Sequence, residues 1–216
     1  FEPSTSPDYF LVPKPQGCYR IFCLGGSTTT GFPYWYNGAF SSFMRDRLRR
    51  SFPGRTIDVI NLGMTATNSY TVVDMTRDIF RFEPDILIVY DGHNEFYGAL
   101  GAASHESMGG SRQLPCLALA LAHVRTYLLA LDIAAAFRSV FGSEDDRVSR
   151  GTMMERLAKG NTVPYGSQTY HDALKNFTAN LSELKDLCNT HGVPVVLGTQ
   201  VCNLRGQVPF VSGIPP

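Results

Sequence analysis

Apolar residues along this chain fall into short continuous runs that alternate with longer stretches repeating every three to four positions. Arg20 to Leu24, Ile57 to Leu62, Asp85 to Tyr90 and Val193 to Thr199 are the continuous runs. Their lack of polar alternation predicts strands buried on both faces, as in parallel sheets. Between them, Phe40, Phe43, Met44 and Leu48 recur at helical spacing and stop before Pro53-Gly54. Ser69 to Phe82 carries Val72, Val73, Met75, Ile79 and Phe80 as buried candidates. His171 to His191 carries Leu174, Phe177, Leu181, Leu184 and Leu187, with Gly192 placed to close the helix. Strands alternating with helices at this spacing predict an α/β fold, a parallel sheet with helices on both faces. Pro3, Pro7, Pro13 and Pro15 make residues 1–19 an extended N-terminal arm, and residues 20–216 the domain.

Residues 102–160 interrupt the alternation as a helical excursion. Within it Leu114 to Phe141 is unusually apolar, but His123, Arg125 and Asp132 break the run. The uncharged piece, Leu114 to Ala122, is far shorter than the ~20 residues a spanning helix requires. A buried or groove-covering segment is the favoured reading, and a membrane-facing lid the alternative.

Composition narrows the function classes. Nineteen basic against nineteen acidic residues give no net charge, which argues against a nucleic-acid partner. Five scattered cysteines without a C-x-x-C pair exclude zinc ribbons and dithiol redox motifs, and no metal-ligand spacing occurs. No cofactor is expected. Cys23, inside an apolar strand, is expected to pack as a small hydrophobe.

The candidate chemistry lies where strands end. Arg20-Ile-Phe-Cys-Leu-Gly-Gly-Ser27 runs from a strand into a glycine turn, placing Ser27 at the sheet edge where open α/β folds bind ligands. Ser27 is a candidate nucleophile whose own N–H can face a developing oxyanion. Gly63 offers a second N–H after the next strand, and Asn94 a side-chain amide after the third. Gly26, Thr28, His93 and Glu95 flank these and are the candidate substrate-binding residues, while Asp91 and Glu95 read more plainly as hydrogen-bonding supports or solvent-facing acids. Each has a plainer role alone: Ser27 as a helix cap, Gly63 as a tight-turn glycine, Asn94 as a turn residue. Their convergence at three strand ends favours a site. A phosphate loop is excluded because Phe32-Pro33 stands where Lys and Ser/Thr are required. The elbow Gly-x-Ser-x-Gly fails at Thr29.

Gly25-Gly-Ser27, Gly63 and Gly92-His-Asn94-Glu, about 30 residues apart, resemble the first three blocks of the SGNH, or GDSL-like, hydrolases. The resemblance implies a three-layer α/β/α flavodoxin-like sandwich with a parallel sheet, and hydrolysis or transfer of acyl esters. It implies an acyl-ester or O-acetylated glycan as substrate. Gly31-Phe-Pro-Tyr34 and Tyr97-Gly-Ala-Leu-Gly101 are similar to bacterial members that carry tetratricopeptide repeats and a membrane tether. That similarity suggests an extracytoplasmic, membrane-anchored location.

The family's fourth block, Asp-x-x-His, supplies the base, and no such block occurs in the sequence. None of His93, His105, His123, His171 and His191 stands where a base is expected. The block lies beyond Pro216 together with the fold's last strand and helix, comes from another chain, or has been lost. In the last case the protein is a non-catalytic binding or structural subunit of a larger assembly.

Overall fold

The computed structural model describes residues 8–104, 110–141, 163–201, 203, 205 and 206. Four parallel strands, β1 (Tyr19–Gly25), β2 (Ile57–Asn61), β3 (Ile86–Tyr90) and β4 (Val195–Leu197), form one sheet in the order β2-β1-β3-β4. β1 pairs with both β2 and β3, Phe22 lying opposite Ile60 on one side and Leu87 on the other. This central position explains its unbroken apolar run: Phe22, Cys23 and Leu24 have no exposed surface. Burial pushes the Cys23 thiol up to about 12, so it packs as an apolar group.

A four-residue helix, α1 (Ser27–Thr30), follows β1 directly, and α2 (Phe40–Ser51), α3 (Ser69–Ile79) and α6 (Gln168–Thr190) form the outer layers. Phe22, Leu24, Ile60, Leu87 and Val89 face α3 and α6, and Ile21, Cys23 and Val59 face α2. Helices therefore cover both faces of a parallel sheet, the expected three-layer α/β arrangement. The helices α4 (Gln113–Ala122) and α5 (Arg125–Phe141) belong to the excursion, whose residues 105–109 and 142–160 lie outside the described ones.

The helical stripes differ in detail from the apolar pattern. Phe43 is 64% exposed while its neighbours Ser42 and Arg45 are buried. On α6, Leu174 is exposed, and the buried line runs through Ala173, Asn176, Asn180, Leu184 and Cys188. α6 also begins before His171, because Ser167 caps it by accepting from the Tyr170 N–H at 3.2 Å. β4 is shorter than expected, covering only Val195–Leu197. Gly192 closes α6 in the left-handed conformation anticipated for it.

Residues 8–18 hold the sheet's opposite end and outer edge. Arg20, fully buried in β1, donates to Asp58, the Phe82 carbonyl and the Leu11 carbonyl, and lies over the Phe10 ring. Asp8 pairs with Arg45 and accepts the Asn61 N–H at 3.1 Å, satisfying a donor on the edge strand β2. Among the described residues no single helix is long and apolar enough to cross a membrane; α4 and the first part of α5 meet at 98°.

Candidate active site

The C-terminal ends of β1, β2 and β3 are stitched together by side-chain bonds to backbone. Thr29, in the first turn after β1, donates its hydroxyl to the Tyr90 carbonyl at the end of β3, at 3.0 Å. Asn61, the last residue of β2, donates its amide to the Thr29 carbonyl at 2.8 Å. The Leu62 and Met64 N–H groups donate to the Cys23 and Gly25 carbonyls at 2.8 and 3.0 Å, carrying the β2 exit alongside β1. Ser27, Gly63 and Asn94 thus stand on three turns fixed to one another.

Ser27 opens α1. Its carbonyl accepts the N–H groups of Gly31 and Phe32, both at 3.0 Å, which closes the turn beneath it. Its side chain is half-buried, and no described residue bonds its hydroxyl or its N–H. Thr28 is exposed, whereas Thr29 and Thr30 are buried. Gly26 before it has a definite reason to be glycine: a Cβ there would stand 2.9 Å from the Asn94 Nδ2. The amide of Asn94 is therefore packed directly against the turn that carries Ser27.

Asn94 is 3% exposed and spends one Nδ2 hydrogen on the Thr67 carbonyl, at 2.8 Å. The amide has two hydrogens, and the second has no partner among the described residues. Gly63 is placed differently. Its N–H donates to the Asn61 Oδ1 at 2.8 Å, and a Cβ on it would run into the Thr29–Thr30 backbone. Its missing side chain is explained by the close approach of the β2 exit to α1.

The flanking acids are inside the protein. Glu95 is 8% exposed and accepts both the N–H and the hydroxyl of Ser69, each at 2.7 Å. Asp91 is 7% exposed, and its Oδ2 has no partner among the described residues. Burial, with the Glu95 carboxyl beside it, pushes the Asp91 pKa up to about 8; burial also raises Glu95. Both carboxyls line a cavity of about 430 Å³ between the ends of β3 and β4 and α6, walled by Phe96, Phe177 and Leu181.

The described histidines have partners elsewhere. His93 is exposed, contacts Gln200 at 3.1 Å and meets the Tyr90 ring edge-on. His123 pairs with Asp74 at 3.0 Å, His171 meets Tyr170 edge-on, and His191 stacks on Phe80. None bonds Ser27, and His105 lies outside the described residues. Asn61, Thr29, Thr67 and Ser69, which fix the turns, escaped the sequence reading. Short polar residues at strand ends were the available signal, but their partners are 26 to 61 positions away.

No family model matches the chain, and no curated protein matches it. Among solved structures, a two-domain esterase active on acetylated mannans, co-crystallised with mannopentaose, is 26% identical over 36% of this chain, with a TM-score of 0.31. The match spans 22% of that protein's length. A lipase/acylhydrolase from Enterococcus faecalis is 16% identical, covering 82% of this chain and 74% of its own, at a TM-score of 0.31. An α/β hydrolase enzyme from the metagenome of Lake Arreo, Spain, is 12% identical, covering 82% and 76%, at 0.38. These superpositions are loose, and the chemistry of the site follows from this chain's own residues.

Proposed function

We propose that the chain carries the nucleophile and oxyanion side of an SGNH-type serine hydrolase acting on acyl esters. The observation that carries this reading is the packing of the Asn94 amide against Gly26, beside a Ser27 whose hydroxyl and N–H are bonded by no described residue. Ser27 Oγ attacks the ester carbonyl and its proton passes to a base. The Ser27 N–H and the Asn94 amide donate to the oxyanion as the tetrahedral centre forms. The C–O bond to the alcohol then breaks, the alcohol leaves with the proton, and water releases the acyl group from Ser27. Gly63 joins as a third donor by exchanging its bond to Asn61 for one to the substrate. The base is an imidazole from outside the described residues. Gly26, Thr28 and His93 border this centre, Glu95 lies behind Asn94 with both oxygens on Ser69, and an O-acetylated glycan or other acyl ester is the substrate class.

A small acetyl ester and a fluorophosphonate probe test this in the full-length protein. Ser27→Ala is expected to remove labelling and lower turnover by about 10⁴-fold or more. Asn94→Ala is expected to cost about 10²–10³-fold in kcat with Ser27 still labelled slowly. Wild-type turnover by Ser27→Ala would end the assignment. A second reading, a non-catalytic binding subunit, is favoured by one observation: no described histidine reaches Ser27. Absence of both labelling and turnover in the full-length wild type would select it.

A further inference from the structure

The acid that follows Asn94 is turned away from solvent and into the start of a helix. α3 begins at Ser69, and its preceding residue, Asn68, makes no side-chain cap; both polar atoms of the buried Asn68 side chain lack partners among the described residues. The first N–H of α3 is instead accepted by Glu95, from the turn after β3. The other carboxylate oxygen takes the Ser69 hydroxyl. One residue earlier, Asn94 grips the same segment through the Thr67 carbonyl. Two adjacent residues of one turn are thus pinned to Thr67 and Ser69 across 26 or 27 positions of sequence.

The grip is extended behind Ser69. Its hydroxyl oxygen accepts from Asn180 Nδ2 at 2.8 Å, and Asn180 Oδ1 accepts from Arg112 Nε at 2.7 Å. Arg112 also pairs with Glu183, which in turn pairs with Arg77. A line of polar groups therefore runs from α3, α6 and the start of α4 to the turn holding Asn94. Buried networks of this kind fix geometry when every member is satisfied. Each carboxylate oxygen of Glu95 takes one donor from Ser69, and the Ser69 hydroxyl oxygen keeps lone pairs with which it accepts from Asn180.

We propose that Glu95 is a positioning residue that holds the Asn94 amide against the Ser27 turn, acting through Ser69 on the far side. This rests on the oxyanion role of Asn94 given above. Glu95 bonds into the protein at both oxygens and governs where its neighbour's amide sits. A misplacement of about 1 Å in such a donor is costly to rate, up to about 10²-fold, and leaves substrate affinity nearly unchanged.

A double-mutant cycle in the full-length protein tests this, with kcat and KM measured on the acetyl ester. Glu95→Gln is expected to lower kcat by about 10-fold or more with KM unchanged, and to add nothing in an Asn94→Ala background. Ser69→Ala, which removes one of the two bonds, gives the same pattern more weakly and serves if Glu95→Gln does not fold. The ¹⁵N side-chain resonance of Asn94 is expected to shift in both variants. Equal losses from Glu95→Gln in the two backgrounds, or an unshifted Asn94 resonance, would overturn the positioning role. If Asn94→Ala leaves kcat intact, the oxyanion reading is what fails, and the Asn94 resonance alone then decides the role of Glu95.

Discussion

The turns that end β1, β2 and β3 and the α4–α5 pair occupy neighbouring parts of one small domain and handle their surfaces in opposite ways. Around Ser27 polar side chains are inside and bonded: Thr29, Asn61, Asn94 and Glu95 are all buried and all have partners. In the helical pair apolar side chains are outside. Leu128, Leu129, Leu131 and Ile133 are 43–59% exposed. Arg112 and His123 tether this pair to α6 and α3 by polar bonds, while Pro115 is its buried residue among those described. The site's shape comes from directional bonds across strands, backed by the central core, whereas among the described residues the pair is held by the Arg112 and His123 bonds and buries little.

The largest loss of stability is expected in the core under the site. Phe22 is fully buried between the two neighbouring strands and meets Phe10 edge to face, with centroids 5.5 Å apart. Phe22→Ala is expected to cost about 3–5 kcal/mol in urea unfolding. A loss under about 1 kcal/mol would mean that the strand ends do not depend on this core.

Asp91 is a buried acid of the strand-end region whose Oδ2 has no partner among the described residues. In the folded chain its carboxyl keeps a proton up to about pH 8, whereas unfolded it ionises near 3.8. The folded state therefore binds more protons between those values, and stability falls as pH rises through that window. The slope approaches about 1.4 kcal/mol per pH unit for one proton, and Glu95, also raised, acts in the same direction. Below about pH 4 the effect vanishes. Asp91→Asn is expected to flatten the Tm profile between pH 5 and 8; an unchanged slope would show that Asp91 ionises normally.

The smallest effect is expected in the helical pair. Leu129 is 59% exposed, so Leu129→Ser should change stability by no more than about 0.5 kcal/mol. A loss above about 1.5 kcal/mol would place Leu129 against a covering surface and cancel the contrast between the two regions.

Several features of this chain were written locally. The apolar run of β1 reports burial on both faces, because a strand covered by helices on each side has no solvated position to fill with polar residues, whereas β3 buries Leu87 and Val89 and leaves Ile86, Ile88 and Tyr90 half-buried. The glycine turn after β1, Gly63 after β2 and Asn94 after β3 could be read because open parallel sheets gather their loops at one edge. Gly192 could be read because a left-handed residue ends a helix at little steric cost. Tertiary structure decided what those residues touch. Arg20 and Asn180 sit on buried lines where apolar periodicity would place a hydrophobe, because distant partners, Asp58 for one and Ser69 for the other, satisfy them. Glu95 reads from its place beside Asn94 either as a hydrogen-bonding support or as a pocket residue, and its bonds to Ser69, which exist only once β3 and α3 are packed, decide for the support. Periodicity reports solvent exposure residue by residue; the partner of a buried polar group is fixed by the meeting of segments far apart in the chain.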